Sequence, residues 1–354
     1  MAKTFKRIGV LTSGGDAPGM NAAARAVTRA ALERGVEVMG IYGGYRGLIH
    51  DDMKLLCARD VSNIVNHGGT FLYSDRCLEF KTDEGMAKAL ETCKKNQIDG
   101  IVAIGGDGTF RGATDLSNHG IPTIGIPGTI DNDITSTDYS IGFDTAMNTT
   151  IEMVDRLRDT CESHARCNVV EVMGRDCGQI ALLAGIAVGA SVIAIPEVPF
   201  DEKMAIENIK ASKATGKRNF LVLVSEGLGK YSEELAKKID AETGIETKFV
   251  RLAHVLRGGA PTLRDRLTAS RMGHEAVERI LAGESDVVVA ERHGKIVTVD
   301  INYALKVDRM YKNKLKDGDL DPFTPAQIEE MKALCAERAA YIKELYDIAY
   351  TISK

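Results

Sequence analysis

The residues "PGTIDND", from Pro127 to Asp133, place a hydroxyl and two carboxylates in one short turn after an apolar run. Glycine, asparagine and aspartate are common in turns because they tolerate unusual backbone dihedrals, so an ordinary turn would account for this composition. Two carboxylates this close repel each other unless a cation, a metal-bound phosphate or a proton transfer offsets the repulsion. The stretch is therefore either a tight surface turn or a reaction centre.

Two glycine-rich loops elsewhere in the chain have the composition of phosphate sites. "SGGDAPGMN" (13–21) and "IGGDGTF" (104–110) each follow an apolar run and open a helix. Backbone N–H groups in such a loop, together with the helix N-terminus, bind phosphate. Asp107 in the second loop supplies a carboxylate oxygen of the kind that Mg2+ prefers. An ordinary strand–turn–helix connection remains the alternative for both loops, and lipid kinases and NAD kinases carry a similar GGDGT sequence.

The position of the acidic turn favours a reaction centre. The stretch "IGIPGTIDND" spans residues 124–133, soon after the GGDGT loop. The two turns should therefore emerge side by side at the carboxyl edge of a parallel sheet. If Asp107 holds a metal and its phosphates, Asp131 or Asp133 can act as the base that takes a proton from an acceptor hydroxyl. Phosphoryl transfer requires such a base or positioning group.

The elements that must position these loops alternate along the chain. Strand-like apolar runs occur at 7–12, 36–42, 100–105, 121–126, 168–173, 192–196, 220–225 and 286–291. Helical patterns occur at 21–34, 179–189, 202–214, 231–242 and 263–282. This alternation predicts an α/β fold with mainly parallel sheets. Several strands are apolar on both faces, as buried parallel strands are.

Two strand–glycine–helix passages predict two similar three-layer, Rossmann-like domains. One passage lies near the start, and the other is "VVEVMGRDCGQIALLAGIA" (169–187). The tail from Thr324 opens with "TPAQ", a capping-box pattern with proline at the first helical position, and predicts a docked C-terminal helix. We expect one domain at 1–140 with about 259–305, a second at 141–258, and a C-terminal helical extension at 306–354.

Composition excludes several classes of protein. The net charge of −5 argues against a protein that binds nucleic acid or an anionic membrane. Seven scattered cysteines without a CxxC pair favour a reducing compartment over a disulfide framework. No run approaches the roughly 18 apolar residues of a membrane span, and the first apolar run is too short for a signal peptide. We expect a cytoplasmic protein.

A series of motifs resembles the family of ATP-dependent 6-phosphofructokinases. In order, they are "RIGVLTSGGDAPGMNAA", "GGTFLYSDR", "IGGDGTF", "IGIPGTIDND", "IGFDTAMNT", "VVEVMGRDCG", "SEG", "HVLRGG" and "DRLTASRMG". The resemblance implies transfer of a phosphoryl group from Mg2+-bound ATP to the 1-hydroxyl of fructose 6-phosphate, which is the committed step of glycolysis. It also implies a nucleotide-binding first domain, a sugar-phosphate-binding second domain, and a homotetramer that shares the sugar-phosphate site between subunits.

The resemblance also implies roles for individual residues. The nucleotide site would contain Gly15, Arg76, Cys77, Gly106, Asp107, Gly108 and Thr109, with Asp107 on the metal. Asp131 would be the base, with Thr129 and Asp133 beside it, and the Arg175 guanidinium would offset developing charge. The sugar-phosphate site would contain Thr129, Ile130, Asp131, Arg166, Met173, Gly174, Arg175, Glu226, Lys248, His254 and Arg257. Of these, Arg166 and Lys248 would reach across a subunit boundary.

The chain departs from the familiar bacterial pattern at a few positions. Lys248 stands where an arginine is usual and loses the bidentate fork, and Leu256 replaces a usual glutamine. The cations of an effector site are matched by Arg25, Arg29, Arg158 and Lys217. Ser191, however, stands where a glutamate usually meets the effector's metal, and Thr215 stands where a basic residue is expected. We therefore expect weakened or altered activation by ADP.

Several functions remain open at this point. Pyrophosphate users of the family typically carry Asp where this chain has Gly108 and Lys where it has Gly128, so both glycines favour ATP. Kinases of other sugar phosphates, such as tagatose 6-phosphate or sedoheptulose 7-phosphate, are not excluded. NAD and lipid kinases would have no reason to combine "PGTIDND" with "VMGR". A non-catalytic sugar-phosphate sensor would be expected to lose the base, and Asp131 is intact.

Overall fold

A computed structural model describes residues 5–353 and divides the chain into two compact units. The first unit comprises the residues up to Ile130, Ile134–Thr145 and Arg257–Lys332. The second comprises Asp131–Asp133, Ala146–Leu256 and the residues from Ala333 onward. Within the C-terminal helix, the chain passes from the first unit to the second after Lys332.

The strands and helices alternate along both units. The strands are β1 (Arg7–Thr12), β2 (Glu37–Ile41), β3 (Met53–Leu56), β4 (Gly100–Gly105), β5 (Thr123–Pro127), β6 (Cys167–Val172), β7 (Val192–Ala194), β8 (Phe220–Ser225), β9 (Thr247–Arg251), β10 (Val287–Arg292) and β11 (Lys295–Asp300). The helices are α1 (Met20–Glu33), α2 (Tyr45–His50), α3 (Asp83–Lys95), α4 (Asp107–Asn118), α5 (Phe143–His164), α6 (Gln179–Ala187), α7 (Glu202–Ala214), α8 (Tyr231–Thr243), α9 (Leu263–Leu281), α10 (Ile301–Tyr311) and α11 (Pro325–Ile352).

A seven-stranded sheet in the order β11-β10-β5-β4-β1-β2-β3 forms the centre of the first unit. Neighbouring strands from β10 to β2 are parallel, whereas β3 and β11 pair antiparallel at the two edges. Every residue of β4 is buried, because helices cover both faces of a parallel sheet. The carboxyl ends of β1, β4 and β5 therefore lie next to one another at one edge.

The second unit contains a four-stranded parallel sheet in the order β7-β8-β6-β9. The six residues of β6 and the six of β8 are all buried. A cluster that includes Val169, Phe220, Val222, Leu235 and Ile239 fills the space between this sheet and the helices on one face. The two central strands of this sheet lead directly into the segments that carry Arg175 and Glu226.

The predicted α/β fold class is confirmed, and two edge strands that the pattern missed share a physical cause. The antiparallel edge strand β3 and the edge strand β9 contain exposed polar residues, Lys54 and Lys248 among them, and so lack a continuous apolar run. The strands β10 and β11 pair antiparallel, with Arg292 opposite Lys295 beside the turn that joins them. Within residues 5–353, no helix is long and apolar enough to cross a membrane.

The C-terminal helix begins at the capping box that the sequence predicts. The Thr324 backbone N–H donates to the Gln327 side chain at 2.9 Å, and the Gln327 backbone N–H donates to Thr324 Oγ1 at 3.3 Å. Pro325 is the first residue of α11, where its missing N–H costs no helical hydrogen bond. Local sequence therefore determines where this 28-residue helix starts.

Candidate active site

Three loops meet at the carboxyl edge of the seven-stranded sheet in the first unit. Thr109 Oγ1 donates to the carbonyl of Ser13 at 3.0 Å, which ties the GGDGT loop to the first glycine loop. The backbone N–H of Gly128 donates to the Gly105 carbonyl at 2.9 Å, which places the "PGT" turn beside the same loop. The expectation that these turns emerge side by side is confirmed, because their strands are neighbours in the sheet.

The first glycine loop is packed against Arg257. Gly14 has φ +86°, a left-handed conformation that favours glycine, and Gly15 leaves space that the Arg257 guanidinium occupies. One nitrogen of that guanidinium donates to the Asp16 carbonyl at 3.3 Å. The predicted sugar-phosphate ligand Arg257 thus lies on the loop that was predicted to bind nucleotide.

The segment with Arg76 and Cys77 is also brought to this loop. Ser74 Oγ donates to the carbonyl of Gly14 at 2.5 Å. Arg76 is exposed, while the half-buried side chain of Cys77 packs against the core of the first unit. Arg76 is therefore accessible to a ligand beside the first glycine loop.

The GGDGT loop leaves open space around a carboxylate. Asp107 is the first residue of α4, so it stands at the positive end of the helix dipole. A Cβ on Gly108 would meet nothing within 4 Å, and one on Gly106 would meet only Thr129 Cβ, at 3.9 Å. Asp107 Oδ2 pairs with Arg111 at 3.2 Å, while its Oδ1 is buried and accepts no hydrogen bond from the described residues. An unused buried carboxylate oxygen in an open loop fits a cation with its bound phosphates.

A second acid, which the sequence did not predict, lies beside Asp107. Asp308 is almost completely buried on α10, and its Oδ1 accepts the backbone N–H of Thr135. Burial first, and then the nearby charge of Asp107, raise the pKa of Asp308 well above its ordinary value. Asp308 shares the apolar face of α10 with Ile301 and Ala304, and a carboxylate at that spacing was the signal that could have revealed it.

A cation at Asp107 would need oxygens from outside the protein. Within residues 5–353, no group of three or more His, Cys, Asp or Glu side chains is arranged to hold a metal ion. Mg2+ commonly binds through one or two carboxylates, phosphate oxygens and water, so a single protein carboxylate suffices when a polyphosphate is present.

The acidic turn and Arg175 meet in the second unit. Asp131 is 2% exposed, and its Oδ2 lies 3.9 Å from Nε of Arg175, whose side chain is largely exposed. Arg175 and Asn132 both have positive φ, +53° and +48°. Asparagine tolerates this conformation, but arginine does so at an energetic cost, and such strain is concentrated at functional sites. The pair combines a buried carboxylate with an accessible guanidinium.

Glu226 holds the "MGR" turn in its strained conformation. Its Oε1 accepts the backbone N–H groups of Gly174 at 3.1 Å and of Arg175 at 2.9 Å. Glu226 directly follows β8, while Met173, Gly174 and Arg175 follow the neighbouring strand β6. The half-buried carboxylate is thus placed next to the segment with which it was predicted to act.

The two cations predicted to reach across a subunit boundary share one carboxylate. Nε of Arg166 lies 2.7 Å and Nζ of Lys248 lies 2.9 Å from the oxygens of Glu246. These contacts, that of Arg166 first, lower the pKa of Glu246 to about 2. The group keeps one net positive charge on the surface of the second unit. His254 is exposed in a short 3-10 helix (Ala253–Arg257), in which Leu256 is fully buried.

The predicted effector cations have different surroundings in the two units. In the first unit, Arg25 and Arg29 lie one turn apart on α1, and Arg29 donates to the Ala58 carbonyl at 3.4 Å. In the second unit, Nζ of Lys217 donates to Ser191 Oγ at 3.0 Å, and the Arg158 guanidinium donates to the Val188 carbonyl. Burial first, and then the charge of Arg158, lower the pKa of Lys217. Ser191 therefore faces a cation without compensating its charge.

Two side chains that the sequence did not predict contact the acidic turn. The Asn132 side chain donates to Gln179 Oε1 at 2.9 Å, and the Arg338 guanidinium donates to the Asn132 carbonyl. Gln179 is the first residue of α6, and Arg338 lies on α11. Nothing in a local pattern links residues so far apart in sequence.

Comparisons with known proteins agree with this arrangement. A model of the phosphofructokinase family matches residues 7–280. The chain is 51% identical over 311 residues to "ATP-dependent 6-phosphofructokinase 1" of Clostridium perfringens, covering 88% of this chain and 97% of that protein. A solved phosphofructokinase from Saccharomyces cerevisiae has a TM-score of 0.84 and 31% identity, covering 97% of this chain and 50% of that one. A solved phosphofructokinase from Pichia pastoris has a TM-score of 0.83 and 33% identity. That match covers 99% of this chain and 39% of the Pichia chain.

This chain thus spans about half of the solved yeast chain but nearly the whole clostridial relative. Because the family model matches most of the residues and the clostridial relative is similar over nearly its full length, the chain belongs to the phosphofructokinase family.

Proposed function

We propose that this chain is an ATP-dependent 6-phosphofructokinase, which transfers the terminal phosphoryl group of ATP to the 1-hydroxyl of fructose 6-phosphate and forms fructose 1,6-bisphosphate in glycolysis. The observation that carries the proposal is the buried Asp131 carboxylate with the Arg175 guanidinium 3.9 Å away. Identity of 51% to a relative named ATP-dependent 6-phosphofructokinase supports the same activity. The cysteines, scattered without a CxxC pair, support a reducing compartment, and we propose the cytoplasm.

The glycine loops of the first unit are the proposed nucleotide site. Backbone N–H groups near Gly15 and of the loop Gly106–Thr109 would bind phosphates, with Arg76 and Cys77 beside them. Asp107 would hold Mg2+, which neutralises charge on the phosphates and orients them. The open space at Gly108 and the unused Oδ1 of Asp107 support this assignment.

The acidic turn is the proposed centre of proton transfer. Asp131 would accept the proton of the sugar 1-hydroxyl as that oxygen attacks phosphorus, with Asp133 and the Thr129 hydroxyl beside it. The Arg175 guanidinium would offset the charge that develops on the transferred group. Burial of Asp131 limits the water that could compete for its carboxylate, while the exposure of Arg175 lets a substrate reach the pair.

The remaining assigned residues are proposed to bind the sugar phosphate. Ile130, Met173, Gly174 and Glu226 would contact the sugar, and Glu226 would accept hydrogen bonds from its hydroxyls. Arg166, Lys248, His254 and Arg257 would bind the 6-phosphate. We propose that Arg166 and Lys248 act on the site of an adjacent subunit in a homotetramer. The positive charge that Glu246 leaves on this pair supports the assignment.

The functional names of the domains follow from these assignments. We propose that residues 1–140 with about 259–305 bind nucleotide, that residues 141–258 bind the sugar phosphate, and that residues 306–354 are a helical extension. The presence of the glycine loops in the first compact unit, and of the "MGR" turn in the second, supports the first two names.

A donor-by-acceptor matrix on the purified protein tests the proposal. ATP, GTP and pyrophosphate are each assayed with fructose 6-phosphate, tagatose 6-phosphate and sedoheptulose 7-phosphate, and the product is identified by its phosphate position. We expect ATP with fructose 6-phosphate to have the highest kcat/KM. Turnover that is faster with pyrophosphate, or with another sugar phosphate, would instead support one of the alternative kinases. A protein that binds both ligands without turnover would be a sensor.

A further inference from the structure

The acidic turn is held at Asn132, the residue between its two aspartates. Asn132 is buried and has φ +48°, so its peptide groups need fixed partners to keep this conformation. Its side chain donates to Gln179 Oε1 at 2.9 Å, and its carbonyl accepts a hydrogen bond from the Arg338 guanidinium. The Asn132 carbonyl belongs to the peptide bond that joins Asn132 to Asp133, so this hydrogen bond fixes the backbone of the turn directly after Asp131.

Arg338 comes from a helix that is docked independently of this contact. On α11, Ile342 and Ala349 are buried, and Tyr346 Oη donates to the Ile193 carbonyl at 3.2 Å. Arg338 lies beyond residues 7–280, which the family model matches, so the family model assigns it no role. The helix would remain attached through its apolar residues if the guanidinium were removed.

The surroundings of Arg338 explain why an arginine occupies this position. Its charge lowers the pKa of the half-buried Glu197 and of the buried Cys177 thiol, against the larger rise that burial causes in both. The guanidinium therefore lies near the Glu197 carboxyl group while it donates to a backbone carbonyl. Five donors in a rigid fork allow one arginine to do both, whereas a lysine ammonium offers a flexible point charge.

We propose that Arg338 is a positioning residue of the reaction: by binding the Asn132 carbonyl, it holds the Asp131 carboxylate in its reactive orientation. The C-terminal helix is then part of the catalytic apparatus. This inference rests on the proposed function, in which Asp131 is the base.

Three variants of Arg338 and one of Tyr346 test the inference. Arg338→Met and Arg338→Ala remove the guanidinium, and Arg338→Lys keeps the charge without the fork. Tyr346→Phe is the matched control, because it removes a hydrogen bond that docks α11 without touching the acidic turn. For each, kcat, the KM values for ATP and fructose 6-phosphate, and the melting temperature are measured.

We expect Arg338→Met to lower kcat by about 10²-fold, the loss expected from a misplacement of about 1 Å, while KM for ATP is nearly unchanged. Arg338→Lys should lose about tenfold, since it retains charge but not geometry. Millimolar guanidinium chloride should restore part of the kcat of Arg338→Ala and should not affect Tyr346→Phe. A purely structural role would give no such rescue.

The outcomes separate this inference from the proposed function. Equal kcat values for Arg338→Met and Tyr346→Phe, at equal melting temperatures, would overturn the positioning role. If Arg338→Met does not fold, Arg338→Lys decides, and wild-type kcat in that variant would overturn it as well. Asp131→Asn is measured in parallel, and if it retains turnover, the proposed base is wrong. If Asp131→Asn is inactive while Arg338→Met is fully active, the positioning role of Arg338 is wrong and the proposed function stands.

Discussion

Nε of Arg175 lies 3.9 Å from Oδ2 of Asp131, so an exposed cation and a buried carboxylate face each other at the end of β6. The Arg175 side chain is 64% exposed and that of Asp131 is 3% exposed. The guanidinium is too far for a short hydrogen bond but close enough to stabilise the ionised carboxylate. A substrate entering between them would meet a carboxylate on one side and a positive charge on the other.

The base is tested by Asp131→Asn, which preserves shape and removes the proton acceptor. We expect kcat to fall by about 10²- to 10⁴-fold, the usual contribution of general base catalysis. Nucleotide affinity, measured by calorimetry with ADP, should remain that of the wild type, because Asp131 is not assigned to the nucleotide site. Near-normal turnover would show that another group takes the proton.

Charge compensation by Arg175 is tested by Arg175→Ala and Arg175→Lys. Loss of the guanidinium should lower kcat by about 10²- to 10³-fold, as removal of a single charge-stabilising donor does in other enzymes. Lysine should restore part of the loss, since it keeps the charge but not the planar fork. Arg156→Ala is the control: Arg156 is an exposed arginine of the same unit that pairs with Glu152 within α5. A kcat for Arg175→Ala that matches this control would contradict the assigned role.

The donor preference is tested by Gly108→Asp. A Cβ at this position meets nothing within 4 Å, so the backbone has room for the first atom of the side chain. We expect kcat/KM for ATP to fall by about tenfold or more through repulsion of the nucleotide phosphates, with no drop in melting temperature. Gly108→Ala adds a methyl group without the charge and should remain close to the wild type. If both variants lose ATP activity equally, steric loss rather than charge explains the preference.

Regulation by ADP is tested at Ser191. The hydroxyl accepts a hydrogen bond from Lys217 but brings no negative charge for an effector's metal ion. We expect weak activation by ADP in the wild type, and a larger decrease in KM for fructose 6-phosphate upon ADP addition in Ser191→Glu. Titrations of rate against ADP at subsaturating fructose 6-phosphate measure both. Strong activation of the wild type at ordinary ADP concentrations would refute the expectation.

Stability against pH is tested by Glu197→Gln. Burial raises the pKa of Glu197, and this rise outweighs the lowering by the Gly178 backbone N–H and by the charge of Arg338. The native state therefore binds this proton more tightly than the unfolded state. The free energy of unfolding falls as pH rises from about 4.3, the ordinary glutamate value, to the raised pKa.

Glutamine lacks this ionisation and can still accept the Gly178 N–H that Glu197 Oε1 accepts at 2.8 Å. The stability of Glu197→Gln relative to the wild type should therefore increase with pH across that window and then level off. Urea denaturation between pH 4.5 and pH 8 measures the difference. A difference that does not change with pH would mean that Glu197 is not protonated more readily in the folded protein.

Local sequence determined much of the fold and marked several of the loops at the candidate site. Strands such as β4 and β8 were predictable because buried parallel strands are continuous apolar runs. The start of α11 was predictable because Thr324 and Gln327 satisfy each other's backbone donors across three residues. The two glycine loops and "PGTIDND" were recognisable because each lies directly after a strand. Ligands bind at the carboxyl ends of the strands in such parallel sheets.

Tertiary structure decided which distant groups face these loops. Asp308 lies beside Asp107, and Arg338 binds the Asn132 carbonyl, because helices that are remote in sequence pack where strands end. Helical spacing predicts which face of α10 or α11 is buried, but it carries no information about the residue that this face will meet. Such pairs follow from the packing of whole elements, and a sequence read locally contains no signal for them.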